Sequence, residues 1–150
     1  MIRLCLVAAL ACAACSSAAP NPLVVARPYD WDEPAGIDKS KPAPLIMLLH
    51  GYSANGFAQD AYFGFMQLAN DRGVYVAHPD GTIDASGEHF WNATDACCDF
   101  GNTGVDDVAY LNAVVDDMEA HFNIDKKRVF FVGHSNGAFM SHRMACDKAD

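Results

Sequence analysis

Apolar residues fall along the chain in alternating short runs and helical stripes. Leu45-Ile46-Met47-Leu48-Leu49 is an unbroken apolar run bounded by Pro44 and Gly51, the signature of a strand buried on both faces. From 59 to 71, Tyr62, Phe65, Met66 and Ala69 recur at helical spacing, and Gly73 closes the segment. Val74-Tyr75-Val76-Ala77 predicts a second strand, stopped by Pro79-Asp80-Gly81. A polar loop of roughly two dozen residues follows, a length that within a domain usually serves function. Asp106 or Asp107 then caps a helix carrying Val108, Leu111, Val115, Met118 and Phe122. Arg128 to Val132 predicts another buried strand, ending in Gly133, and a helix starting at Asn136 runs on towards Asp150. Ahead of these, Leu23-Val24-Val25 and Tyr29-Asp30-Trp31 read as weak early strands, weakened by the prolines around them. Strand and helix thus alternate, which predicts an α/β domain with a mostly parallel sheet and flanking helices.

The first residues read differently. Arg3 precedes an apolar stretch from Leu4 to Ala14, followed by small residues and then Pro20 and Pro22, which is the layout of an export signal over 1–19. Cys12-Ala13-Ala14-Cys15 resembles a lipobox with Cys15 as the lipidated residue, while Ala11-Cys12-Ala13 offers ordinary cleavage. Both alternatives predict a protein outside the cytoplasm, either freely secreted or periplasmic, or held at the cell surface by a lipid anchor. A net charge of −9 excludes the basic patch that nucleic-acid binding needs, and mildly disfavours strongly acidic polymers as substrates. Cys97, Cys98 and Cys146 remain in the mature part, and an odd count in an oxidising compartment suits one disulfide and one spare thiol. Adjacent cysteines lack metal-ligand spacing, and no spacing in the chain implies a metal or an organic cofactor.

The chemistry gathers at Gly133-His134-Ser135-Asn136-Gly137, a G-x-S-x-G between a strand and a helix. Glycines at both flanks let strand and helix approach, leaving Ser135 on a tight turn as the candidate nucleophile. The following helix N-terminus favours the negative charge of acyl transfer. Leu48-Leu49-His50-Gly51-Tyr52 ends the early strand where an oxyanion loop belongs, so the main-chain amides of Tyr52 and Asn136 are the candidate oxyanion donors. His50 is expected to hold that loop by hydrogen bonds, and His134 to point away from the site. Tyr52, Phe57, Phe90 and Trp91 are the candidate aromatic lining of a cleft.

Leu49 to Gly56, His78 to Gly81, Trp91-Asn92, Cys97-Cys98, Val105 to Val108 and Gly133 to Ala138 occur in this order. Together they resemble the secreted α/β-hydrolase esterases grouped as polyhydroxybutyrate depolymerases and feruloyl or acetylxylan esterases, over about residues 40–148. The resemblance implies an α/β-hydrolase fold, a nucleophile at Ser135, oxyanion amides at Tyr52 and Asn136, and an ester substrate, either a polyester or an acylated plant polysaccharide. It also implies that Cys97 or Cys98 pairs with Cys146, and that Trp91 and Asn92 line the cleft; a Trp buried under a long loop is the alternative. Asp106 and Asp107 read as helix-capping and loop-holding residues.

In this fold the acid and the histidine follow the nucleophile along the chain. From Asn136 onward the sequence reads as one helix, with His142 pointing away from the turn and Asp147 and Asp150 remote from it. Residues 20–150 are therefore expected to be the N-terminal part of an α/β-hydrolase domain truncated after the nucleophile helix, its triad completed beyond residue 150. A peptidase of the same fold and a non-catalytic surface-binding lipoprotein are the alternative readings.

Overall fold

A computed structural model describes residues 19–147. The export segment up to residue 18, including the candidate Cys15, lies outside the described residues. At the centre of the sheet is β2 (Ala43–Leu49), whose Leu45, Met47, Leu48 and Leu49 are fully buried. Each such side chain contributes about 1.5–3 kcal/mol on burial, so this strand anchors the domain. It pairs in parallel with β3 (Tyr75–His78) on one side and with β6 (Ile124–Gly133) on the other. The short β1 (Asp30–Asp32) lies antiparallel on the outer side of β3, giving the order β1-β3-β2-β6. The mostly parallel sheet is therefore as expected.

Helices cover both faces. On one, α4 (Asp107–His121) and α5 (Asn136–Asp147) bring Leu111, Val114, Met118, Met140 and Met144 against β2 and β3. On the other, Ala69 packs with Leu48 and Val76. Asp106 caps α4, accepting a 2.9 Å hydrogen bond from the Ala109 amide, as the sequence predicts.

Four expectations need correction. Leu23–Val25 is not a strand but part of the short helix α1 (Pro22–Ala26), because Pro22 sits at its first turn and Asn21 caps the Leu23 amide at 3.0 Å. The helix read over 59–71 is two, α2 (Gly56–Phe63) and α3 (Phe65–Arg72), broken where Gly64 takes φ +70°. Of its predicted stripe Ala69 is buried, whereas Tyr62 and Met66 lie on the surface. The long loop carries a small hairpin of β4 (Thr82–Ile83) and β5 (His89–Phe90). Finally, β6 pairs with β2 alone among the described residues, so the strand read as buried is open on its other side, with Phe130 50% exposed.

Candidate active site

Strand β6 runs in register with β2 as far as Leu49 opposite Gly133, and the His134 amide extends the pairing with a 3.2 Å bond to the Leu49 carbonyl. The chain then turns sharply. Ser135 takes φ +50°, a left-handed conformation that a residue with a side chain rarely adopts. From there α5 departs at once, with the Ala138 amide donating to the Ser135 carbonyl at 2.9 Å. Neither flanking glycine tolerates a side chain. A Cβ on Gly133 would overlap the Gly137 carbonyl, and one on Gly137 would overlap the carbonyls of Leu49 and His50. The spacing read from the sequence thus corresponds to a strained strand–turn–helix with Ser135 exposed at its tip.

The loop after β2 passes beside that tip. A Cβ built on Gly51 would lie 3.4 Å from the Ser135 Cβ and 3.1 Å from the His134 Nδ1. The main-chain N–H groups of Tyr52 and Asn136 donate no hydrogen bond to any described residue. Two unengaged amides therefore flank the turn that carries Ser135. The Tyr52 side chain turns to the hairpin, its hydroxyl donating to Asp84 Oδ2 at 2.7 Å, and that carboxylate pushes the phenol pKa up.

Behind the turn is a buried bracket. The amide of Gly81 donates to His50 Nε2 at 2.8 Å, so Nε2 is the unprotonated nitrogen, and Nδ1–H donates to the Gly51 carbonyl at 2.7 Å. Burial holds the His50 pKa below the ordinary histidine value. With both nitrogens engaged, His50 holds the loop, as expected, and has no lone pair for a base. The Asn136 side chain binds the Trp91 backbone twice, accepting from its amide at 2.7 Å and donating to its carbonyl at 2.9 Å. The Trp91 indole N–H donates to the His50 carbonyl at 3.0 Å.

Trp91 is fully buried, so its side chain does not line a cleft; the alternative of a Trp under the loop holds instead. Phe90, also fully buried, leaves the candidate aromatic lining too, while Phe57 is exposed. Asn92 is likewise committed to structure. Its amide donates to Asp107 Oδ2 at 2.7 Å and its side chain to the Val105 carbonyl at 2.8 Å, while Arg143 donates to its carbonyl at 2.7 Å. Asp107 is buried, and its other oxygen takes a 2.7 Å ion pair from Arg27. Burial raises the Asp107 pKa, opposed by the Arg27 charge and the Asn92 amide. Asp106 and Asp107 thus cap and hold, as read from the sequence. Arg27, whose guanidinium lies 3.5 Å from the Tyr110 ring centre, was not singled out by the sequence reading. A lone cation after the apolar Leu23–Ala26 run is the signal that marks it.

The other histidines are placed elsewhere. The ring of His134 lies 5.9 Å from Tyr62 and 6.4 Å from Phe63, and His142 is exposed on α5 beside Thr94 and Cys146. The described residues bring no base to Ser135. Cys97 and Cys98 lie side by side in the long loop, and Cys146 is exposed on the outer side of α5. Among the described residues no group of three or more His, Cys, Asp or Glu is arranged to hold a metal ion.

No protein-family model matches the chain. It is 32% identical to a probable feruloyl esterase C of Aspergillus terreus over 129 residues, which is 82% of this chain and 42% of that one. It is 31% identical to poly(3-hydroxyalkanoate) depolymerase C of Paucimonas lemoignei over 113 residues, 72% of this chain and 25% of that one. A carboxylesterase structure from Bacillus cereus aligns with TM-score 0.49 and 20% identity, covering 73% of this chain and 48% of the other. The chain spans less than half the length of the curated relatives named here. Across that span it is similar in sequence to feruloyl esterases and to a polyhydroxyalkanoate depolymerase, and its mostly parallel sheet with helices on both faces is an α/β arrangement.

Proposed function

We propose that the full-length protein is a secreted serine esterase with Ser135 as its nucleophile. The observation that carries this reading is the strained Ser135, held at φ +50° between β6 and α5 with the Gly51 turn against it. In the proposed reaction the Ser135 hydroxyl attacks an ester carbonyl and gives its proton to a general base. The Tyr52 and Asn136 amides receive the oxyanion. Collapse expels the alcohol, which takes the proton, and water then hydrolyses the acyl-enzyme to release the acid. A histidine oriented by an acid, both outside the described residues, supplies the base in this scheme.

The names of the relatives point to esters of acylated plant polysaccharide or to polyesters as the substrate class. The export signal read over 1–19 supports secretion, with Cys15 as the lipid anchor if the lipobox is used. The test is labelling of the full-length protein with a fluorophosphonate and hydrolysis of p-nitrophenyl acetate. Ser135→Ala is expected to abolish labelling and lower kcat at least about a thousandfold. Undiminished labelling in that variant would remove Ser135 from the mechanism.

A further inference from the structure

The two amides proposed to receive the oxyanion belong to segments far apart in sequence, and an oxyanion hole works only when both donors are held at the right separation. Pairing between β2 and β6 fixes the two segments as far as Leu49 and Gly133, with the His134 amide adding one more bond. Beyond that point the chains diverge, one towards Tyr52 and the other into α5. There Gly51 packs against the Ser135 turn and Gly137 against the His50 carbonyl, and Trp91 hydrogen-bonds to both segments. The indole N–H of Trp91 donates to the His50 carbonyl, two residues before the Tyr52 amide, at 3.0 Å. Its own amide and carbonyl are gripped by the side chain of Asn136, whose main-chain N–H is the second donor, at 2.7 and 2.9 Å.

We infer that Trp91 is a positioning residue that sets the separation of the Tyr52 and Asn136 amides, an inference that rests on the esterase reading. Trp91, His50 and Asn136 are all fully buried, so water does not compete for these bonds and each is a rigid link. The bracket is fastened from behind. Asn92, the next residue, donates to buried Asp107, which Arg27 holds in turn. A donor aimed at charge that develops during the reaction acts on kcat, and a misplacement of about 1 Å costs up to about a hundredfold. The indole nitrogen is therefore the informative atom, because the ring packs equally well without it.

The experiment compares the full-length protein with Trp91→Phe and with 3-benzothienylalanine at position 91, which keeps the bicyclic shape and has a sulfur in place of the N–H. Fluorophosphonate titration counts active sites, and p-nitrophenyl acetate hydrolysis is expressed per titrated site. Both variants are expected to lose about tenfold in kcat with KM changed less than twofold. A residue that only supports the fold would lower the titrated fraction and leave kcat per site unaltered. Unchanged kcat per site in the benzothienyl variant overturns the inference, whatever becomes of the Phe variant's stability, and leaves the esterase reading standing. Failure of the unsubstituted protein to label overturns both.

Discussion

Two histidines lie at the ends of neighbouring strands, both out of solvent, in opposite surroundings. His50, after β2, has a donor for one ring nitrogen and an acceptor for the other, and the bracket around it pairs Trp91, Asn136, Asn92, Asp107 and Arg27. His78, at the end of β3, has Nε2 3.4 Å from Asp32 Oδ2 and no partner for Nδ1 among the described residues. Nearby Asp60 is buried with Oδ1 unpartnered, and its pKa is raised by burial and by the Asp32 charge. A buried polar group stabilises when its partner is built in and destabilises when it is not. The fully partnered region lies behind the candidate nucleophile, where two loops must keep a fixed separation. The carboxylate cluster lies on the β1–β3 side of the sheet and is free of that demand.

Opposite signs of substitution would sharpen this contrast. The largest effect is expected at the outer fastening of the bracket. Arg27→Met leaves the buried Asp107 carboxylate without its counter-charge and should lower unfolding free energy by about 2–3 kcal/mol, read from urea midpoints. The full range for a broken buried pair is discounted because the Arg27 side chain is 20% exposed. A change under about 0.5 kcal/mol would mean that the pair contributes little to the bracket.

The second effect depends on pH. Burial depresses the His50 pKa in the folded state, so the unfolded chain takes up a proton that the folded one refuses. The stability contributed by neutral His50 is complete above about pH 6.5 and falls away as pH drops through the folded pKa. The full-length protein should lose stability on acidification from about pH 7 to 5. His50→Gln should be less stable near neutrality and show a shallower loss over that window. Parallel curves for the two proteins would assign the acid sensitivity to other groups.

The smallest effect is a gain. The raised Asp60 pKa means that the ionised carboxylate destabilises the folded state as pH rises from about 3.8 through the folded value. Asp60→Asn should therefore raise Tm by about 2–4 °C near pH 7, with the gain vanishing below about pH 4. A fall in Tm at neutral pH would break the comparison, because it would show Asp60 to be as well partnered as the bracket.

Much of the frame is legible in the residues alone. The apolar runs at 45–49 and 74–77 appear as β2 and β3, because parallel strands covered on both faces need no polar alternation. Asp106 marks the start of α4, since a carboxylate satisfies an orphan amide whatever the tertiary setting. The apolar run at 128–132 did not by itself place β6 at an edge, because such a run looks the same at the centre of a sheet and at its edge. The break at Gly64 was missed because the stripe around it kept its helical spacing. Arg27 was missed because its partner Asp107 is 80 residues away.

Ser135 illustrates what the chain order itself determined. Gly133 and Gly137 flank a tight turn after a strand, so the candidate nucleophile could be named from five consecutive residues, although the atoms that exclude a side chain at Gly137 belong to Leu49 and His50. Trp91 illustrates what only the tertiary structure decided. Its type and motif suited a cleft wall, but its bonds to His50 and Asn136 span 41 and 45 residues. Those partners are brought together by the parallel pairing of β2 and β6, whose C-terminal ends lead into His50 and Asn136. Local sterics act between neighbours and can be read in sequence; long-range hydrogen bonds depend on which segments the packed sheet brings together.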